Sequence, residues 1–156
     1  TVFMNPPAFL EKLGLALQES NVKPEIEIFD AGMVYNTIYY MKKGILKAPC
    51  HYQIVLGCAG GMTNTVENLV YLKSILPEGS TWAACGISAG HLPITIALGG
   101  HLRVGLEDNL YWSHGVLAKS NAQLVERAKR MLELNGLEAA TPDEARQIYG
   151  LTRKVF

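Results

Sequence analysis

Gly99-Gly100-His101-Leu102-Arg103-Val104-Gly105-Leu106-Glu107-Asp108-Asn109 is the stretch on which the fold turns. Read as a strand over residues 101–107, it puts His101, Arg103, Gly105 and Glu107 on one face and Leu102, Val104 and Leu106 on the other. A cation and a carboxylate then share a face. The stretch is bounded by glycine and ends in Glu107-Asp108, where a barrel of alternating strands and helices keeps its chemistry. It is a candidate active-site strand, although an ordinary surface strand would carry the same alternation.

The same rhythm of strand and helix runs back along the chain. Asn5-Pro6-Pro7 predicts an N-cap followed by proline in the first helical positions, and Phe9, Leu10, Leu13, Leu15, Ala16 and Leu17 supply an apolar helical face. Strands are predicted over 24–29, 52–56 and 81–85, and helices over 31–44, 63–75 and 92–98. The methionines and tyrosines between 33 and 41 recur at helical spacing and belong to a core rather than to a cofactor box. Gly44 closes its helix as a C-cap glycine. Beyond residue 107 the rhythm loosens into a connector over 109–119, longer than such units usually need, and loops of that length tend to be functional. Ser120-Asn121 then opens a helix to residue 134, and Thr141-Pro142-Asp143-Glu144 is a capping box for a last short helix. Four strands alternating with helices predict parallel pairing through right-handed crossovers, with no linker dividing residues 1–156.

Composition narrows the class. The chain has 156 residues, 49% of them hydrophobic, and its 14 acidic side chains balance 14 basic ones, which argues against nucleic-acid or membrane-surface partners. Neither a membrane span nor a secretory leader is apparent, so a cytoplasmic protein is expected. Cys50, Cys58 and Cys85 lack C-x-x-C spacing and lie in or beside apolar strands, which predicts free thiols rather than a metal or redox site.

Four strand-helix units fit either an open doubly wound sheet or half of an eight-stranded barrel. Length favours the open sheet, since whole barrels take about 250 residues. Glu25 with Glu27, and Arg103 with Glu107, argue the other way, because a charged strand face needs a polar barrel interior or water, whereas central strands of open sheets are nearly all apolar. Each candidate residue has a bland alternative. Glu107-Asp108 would suit a solvated loop, Arg103 a structural ion pair, and Glu27 a structural hydrogen bond as readily as a substrate contact. The loops 57–61 and 86–90 are either backbone nests for an anion or plain tight turns. Glu27, Gly57, Gly86 and Ser88 are the candidate substrate-binding residues. His51 precedes a strand and His101 starts one, which marks both as structural. His91 and His114 fall in loops with no assigned role.

Four segments carry a family resemblance. Pro24-Glu25-Ile26-Glu27-Ile28-Phe29-Asp30-Ala31-Gly32, Gly99 through Tyr111, Ser120-Asn121-Ala122-Gln123-Leu124-Val125-Glu126-Arg127 and Ala140-Thr141-Pro142-Asp143-Glu144-Ala145-Arg146 resemble the β-keto acid cleavage enzymes, a family that includes the 3-keto-5-aminohexanoate cleavage enzymes. The resemblance runs over essentially the whole chain. It implies an α/β fold of the (β/α)8 TIM-barrel type, a divalent metal that is usually zinc (Zn2+), and acetyl-CoA as co-substrate. A β-keto acid and acetyl-CoA would give acetoacetate and a new acyl-CoA. It further implies that Glu107 is the carboxylate ligand of the metal and that Arg103 and Asp108 are the catalytic pair, with the guanidinium positioning the carboxylate that moves the proton.

The sequence departs from the family in matching its carboxyl-terminal half alone, as about four β/α units plus a terminal helix. Family members carry two histidines one residue apart as the other metal ligands, and His51, His91, His101 and His114 form no His-x-His. Thr1-Val2-Phe3 resembles the tail of the preceding strand, and the absence of an initiator methionine suggests a fragment. A missing amino-terminal half-barrel, or self-association into a homo-oligomer, is the expected partner, since a half-barrel leaves two open sheet edges. Two rivals remain: a half-barrel whose property is association without catalysis, and another metal-assisted barrel enzyme such as a class II type aldolase.

Overall fold

The computed structural model describes residues 4–87 and 91–152 of the chain. Helix α1 (Pro7–Glu19) leads into strand β1 (Glu25–Ile28), followed by α2 (Ala31–Lys42), β2 (His51–Leu56), α3 (Val66–Ser74), β3 (Thr81–Gly86), α4 (Leu92–Ala97) and β4 (His101–Leu102). A two-stranded hairpin, β5 (Tyr111–Ser113) with β6 (Val116–Leu117), precedes α5 (Asn121–Leu134) and α6 (Pro142–Tyr149). The four main strands pair in chain order and all in parallel.

Side-chain alternation divides this sheet into two unlike faces. Ile28, Tyr52, Ile54, Leu56, Trp82 and Ala84 point one way and pack with Val34 of α2, Leu69 and Leu72 of α3, and Ile94 of α4. The three crossover helices therefore cover one face of the sheet. A doubly wound sheet carries helices on both faces, whereas here the three crossover helices share one. Glu25, Glu27, His51, Gln53, Thr81, Cys85 and His101 alternate onto the opposite, polar face.

Local signals set most element ends. Asp30 caps α2 by accepting the Met33 N–H at 3.0 Å, Thr65 caps α3 and Ser120 caps α5 in the same way, and Thr141 with Glu144 forms the expected capping box on α6. Gly44, at φ +73, ends the turn after α2. Asn5 is not the N-cap of α1. That position falls to Pro6, which stands at φ −66 and ψ 154 because the following Pro7 excludes helical geometry from the residue before it.

Two expectations for the carboxyl-terminal third are corrected. The strand over 101–107 shrinks to His101–Leu102, which pairs with Ala83 and Ala84 of β3. Beyond Leu102 the chain turns, and the Gly105 carbonyl accepts the N–H groups of both Asp108, at 3.1 Å, and Asn109, at 3.0 Å. The connector over 109–119 is not structureless, since it holds the β5–β6 hairpin around Gly115 at φ +74.

At the amino ends of the strands α6 is held without burying any of its own residues. The Tyr149 ring packs edge-on to His51 at 4.5 Å between centroids and against His101 at 5.5 Å, and Lys23 Nζ donates to the Tyr149 carbonyl at 2.7 Å. Burial, then the neighbouring His101 and Lys23 charges, lower the His51 pKa to about 4, although a bond to Thr81 opposes the shift. His101 is lowered by burial too. Glu25 lies 3.5 Å from His51 Nε2, but its carboxylate is 58% exposed and water screens it. The packed state thus holds both imidazoles neutral. Its stabilisation is complete above the ordinary imidazole value of 6.5 and is lost as pH falls towards 4. Acidification across that window is expected to release α6, read as a shift of the Tyr149 ring resonances to exposed values. His51→Asn should move the transition, and a Tyr149 environment constant from pH 7 to 4 would contradict the assignment.

Candidate functional site

Arg103 leaves the end of β4 and gathers three carboxylates around its guanidinium. Nε donates to Asp108 Oδ2 at 3.1 Å and Nη2 to Asp108 Oδ1 at 3.0 Å, a bidentate pair. Nη1 donates to Glu27 Oε1, one residue from the end of β1, at 2.9 Å. Glu107 Oε2 stands 3.8 Å from Nη2, near enough for attraction and too far for a direct bond. Arg103 and Glu107 meet because the Gly105–Asp108 turn brings them together, and not because they share a strand face.

The turn gives its two acidic residues opposite surroundings. The Asp108 side chain is 5% exposed and the Glu107 side chain 88%. Arg103 takes both Asp108 oxygens, and the Cys85 thiol lies against the same carboxylate. Burial disfavours the Arg103 charge, yet its bonds to Asp108 and Glu27 outweigh burial and raise its pKa above the ordinary value. Arg103 is thus a permanent cation.

Beneath this pair lies a small cavity lined by Cys85, Gly86, His91, Arg103, Asp108 and Arg127, among others. Burial first, and then the Asp108 carboxylate, push the Cys85 thiol up to about 12. It therefore stays protonated near neutral pH and is no thiolate nucleophile. Cys50 is likewise a buried free thiol, and Cys58 a half-buried one. Burial lowers the His91 pKa, and its Nε2 has no hydrogen-bond partner among the described residues.

The glycine loops divide. Gly86 ends β3 and lines the cavity, whereas Ser88 lies outside the described residues. Gly57 follows β2 at φ +92, and its N–H is already given to the Met62 carbonyl at 2.9 Å. A Cβ there would sit 3.1 Å from Asn64 Cβ, so the position tolerates little but glycine. His51 and His101 lie at the amino ends of their strands, away from Arg103, and His114 occupies the hairpin turn.

Among the described residues, no group of three or more His, Cys, Asp or Glu side chains is placed to hold a metal ion. Glu107 presents an exposed carboxylate that fits the part of a single ligand, and a catalytic zinc needs about three from protein. Among the described helices none is long and apolar enough to cross a membrane.

Two side chains not singled out from the sequence join the site. Asn121, at the start of α5, accepts the Leu106 N–H through Oδ1 at 2.8 Å, and Arg127 donates to the Tyr111 and Trp112 carbonyls of the hairpin. A polar residue directly after a helix N-cap was the available signal for Asn121. Its target, 15 residues upstream, was not readable from the sequence.

Comparison with known proteins shows the family of the chain. A model of the beta-keto acid cleavage enzyme family matches residues 1–151. The chain is 44% identical over 155 residues to the 3-keto-5-aminohexanoate cleavage enzyme of Fusobacterium nucleatum, covering 97% of this chain and 56% of that protein. It is 37% identical over 155 residues to the enzyme of the same name from Acetoanaerobium sticklandii, covering 97% and 57%. It is 34% identical over 157 residues to the 3-oxoadipate:acetyl-CoA acetyltransferase of Cupriavidus necator, covering 96% and 55%. The chain spans about half the length of the curated relatives it matches.

Proposed function

This chain belongs to the beta-keto acid cleavage enzyme family, and from that premise we propose that it is the carboxyl-terminal half of a (β/α)8 barrel that exchanges acyl groups between a β-keto acid and acetyl-CoA. The observation that carries the proposal is the buried Asp108 paired with the half-buried Arg103 beside the outward Glu107, at the carboxyl end of a parallel sheet, where barrels keep their catalytic groups. A sheet with its crossover helices on one face and polar side chains on the other is what a barrel wall requires. Relatives named as 3-oxoadipate:acetyl-CoA acetyltransferase and 3,5-dioxohexanoate:acetyl-CoA acetone transferase support acetyl-CoA as the second substrate.

In the proposed reaction the bond between the keto carbon and the adjacent methylene breaks. The methylene bonds the acetyl carbonyl carbon as the thioester C–S bond of acetyl-CoA breaks, which gives acetoacetate, and the freed CoA sulfur takes the released acyl group. Asp108 takes a proton from that methylene and later returns it to the same carbon, so the proton balance closes. Arg103 orients the Asp108 carboxylate through paired, charge-assisted bonds. Glu27 contacts substrate from across the sheet, Gly86 borders the cavity, and Gly57 and Ser88 are the further substrate-binding residues of this reading. Glu107 would be one ligand of a zinc ion, whose Lewis acidity would polarise the keto oxygen, and the other ligands would have to come from outside the described residues.

The open edges β1 and β4 pair with that half, or with further copies in a homo-oligomer. A cytoplasmic setting suits an acetyl-CoA-dependent enzyme with free cysteines. The test is incubation of the complete polypeptide with zinc, acetyl-CoA and a panel of β-keto acids. Acetoacetate and acyl-CoA should form in equal amounts for at least one acid. Turnover of phosphorylated sugars instead would make it an aldolase, and association without turnover would make the half-barrel non-catalytic.

A further inference from the structure

The Gly105–Asp108 turn is tied from inside and from outside. From inside, the Gly105 carbonyl takes the Asp108 and Asn109 N–H groups. From outside, the Leu106 N–H goes to Asn121 Oδ1 at 2.8 Å. Asn121 is free to reach it because capping of α5 is done by its neighbours: Ser120 Oγ accepts the Gln123 N–H, and Gln123 Oε1 accepts the Lys119 N–H. A Cβ built on Gly105 would sit 3.8 Å from Asp108 Oδ2 and 3.9 Å from Asn121 Oδ1, so the acidic side chain and the amide flank the same glycine.

From this we propose that Asn121 is a positioning residue, which fixes the turn so that Glu107 projects outward while Asp108 stays seated on Arg103. The inference rests on the reading that Glu107 and Asp108 carry the chemistry, and it adds the residue that sets the angle between them. The amide that Asn121 holds belongs to the residue immediately before Glu107. A turn released at that point can rotate the two side chains together, and displacement of a catalytic group by about 1 Å costs about a hundredfold in rate. Asn121 is itself exposed.

The experiment compares Asn121→Ala and Asn121→Asp in the complete zinc-loaded enzyme. Aspartate keeps an oxygen acceptor at the same place and suits the first turn of a helix. Asn121→Ala is expected to lower kcat by about ten- to a hundredfold, with KM for acetyl-CoA within about twofold and an unchanged melting temperature. Zinc affinity should fall, and exchange of the Leu106 amide hydrogen should quicken by about tenfold. Asn121→Asp should restore kcat and the protection of Leu106 together. An alanine variant with native kcat and native Leu106 protection overturns the inference, provided that Asp108→Asn abolishes turnover in the same preparation. Full turnover by Asp108→Asn would overturn the functional reading, and the positioning role with it.

Discussion

Asp108→Asn is expected to lower turnover of the complete enzyme by about a hundredfold or more, the usual scale for loss of a general base, while zinc remains bound. Asparagine keeps the shape of the side chain and can still accept one bond from Arg103, but it cannot take a proton. The half-buried guanidinium also loses its bidentate counter-charge, so some loss of stability should accompany the kinetic defect. Glu107→Gln should behave differently. Its side chain lies in solvent and supports little of the fold, so the melting temperature should hold while zinc content and activity fall in parallel. Metal analysis and steady-state kinetics on the two variants separate these roles. Full metal and near-native rates in both would remove this turn from the active site.

The second large effect concerns the chain by itself. It is expected to bind zinc weakly and to form no measurable acetoacetate even at saturating zinc. Glu107 is a single carboxylate, and the described residues bring no trio of ligating side chains together. Addition of the amino-terminal half should restore metal binding and turnover together if the two halves dock as in a continuous barrel. Appreciable turnover by the isolated chain would mean that it holds a complete site. His91 would then be the first residue to replace, because its buried Nε2 lines the cavity beside Asp108 without a partner among the described residues.

Much of the fold was legible because short-range rules govern it. The strand-helix alternation, the Ser120 and Thr141 caps and the Gly44 stop follow from residues within one turn of the feature they set. The errors came where two such rules compete. Asn5 is a good capping residue, yet Pro7 forces Pro6 into the capping position. Residues 101–107 alternate like a strand, yet the chain leaves β3 after Leu102 and turns at Gly105. The hairpin had a visible signal in His114-Gly115 between Tyr111-Trp112 and Val116-Leu117, a glycine-containing turn flanked by β-formers.

The candidate site was legible in its membership more than in its geometry. Arg103, Glu107 and Asp108 do meet, through a turn rather than through strand periodicity. Glu27 reaches Arg103 across 76 residues, a contact that only sheet register can create. The same holds for Asn121 and Arg127, which touch carbonyl and amide groups of distant loops. Backbone groups carry no residue identity, so no sequence pattern announces them as partners.

The most direct test of the central claim is the fate of carbon in a single reaction. The complete polypeptide is given acetyl-CoA labelled with carbon-13 in both acetyl carbons, together with an unlabelled β-keto acid that it turns over. Label is expected only in the methyl and keto carbons of acetoacetate, with none in its methylene and carboxylate and none in the new acyl-CoA. Label in the carboxylate end, or acetoacetate formed without label, would contradict the proposed acyl exchange.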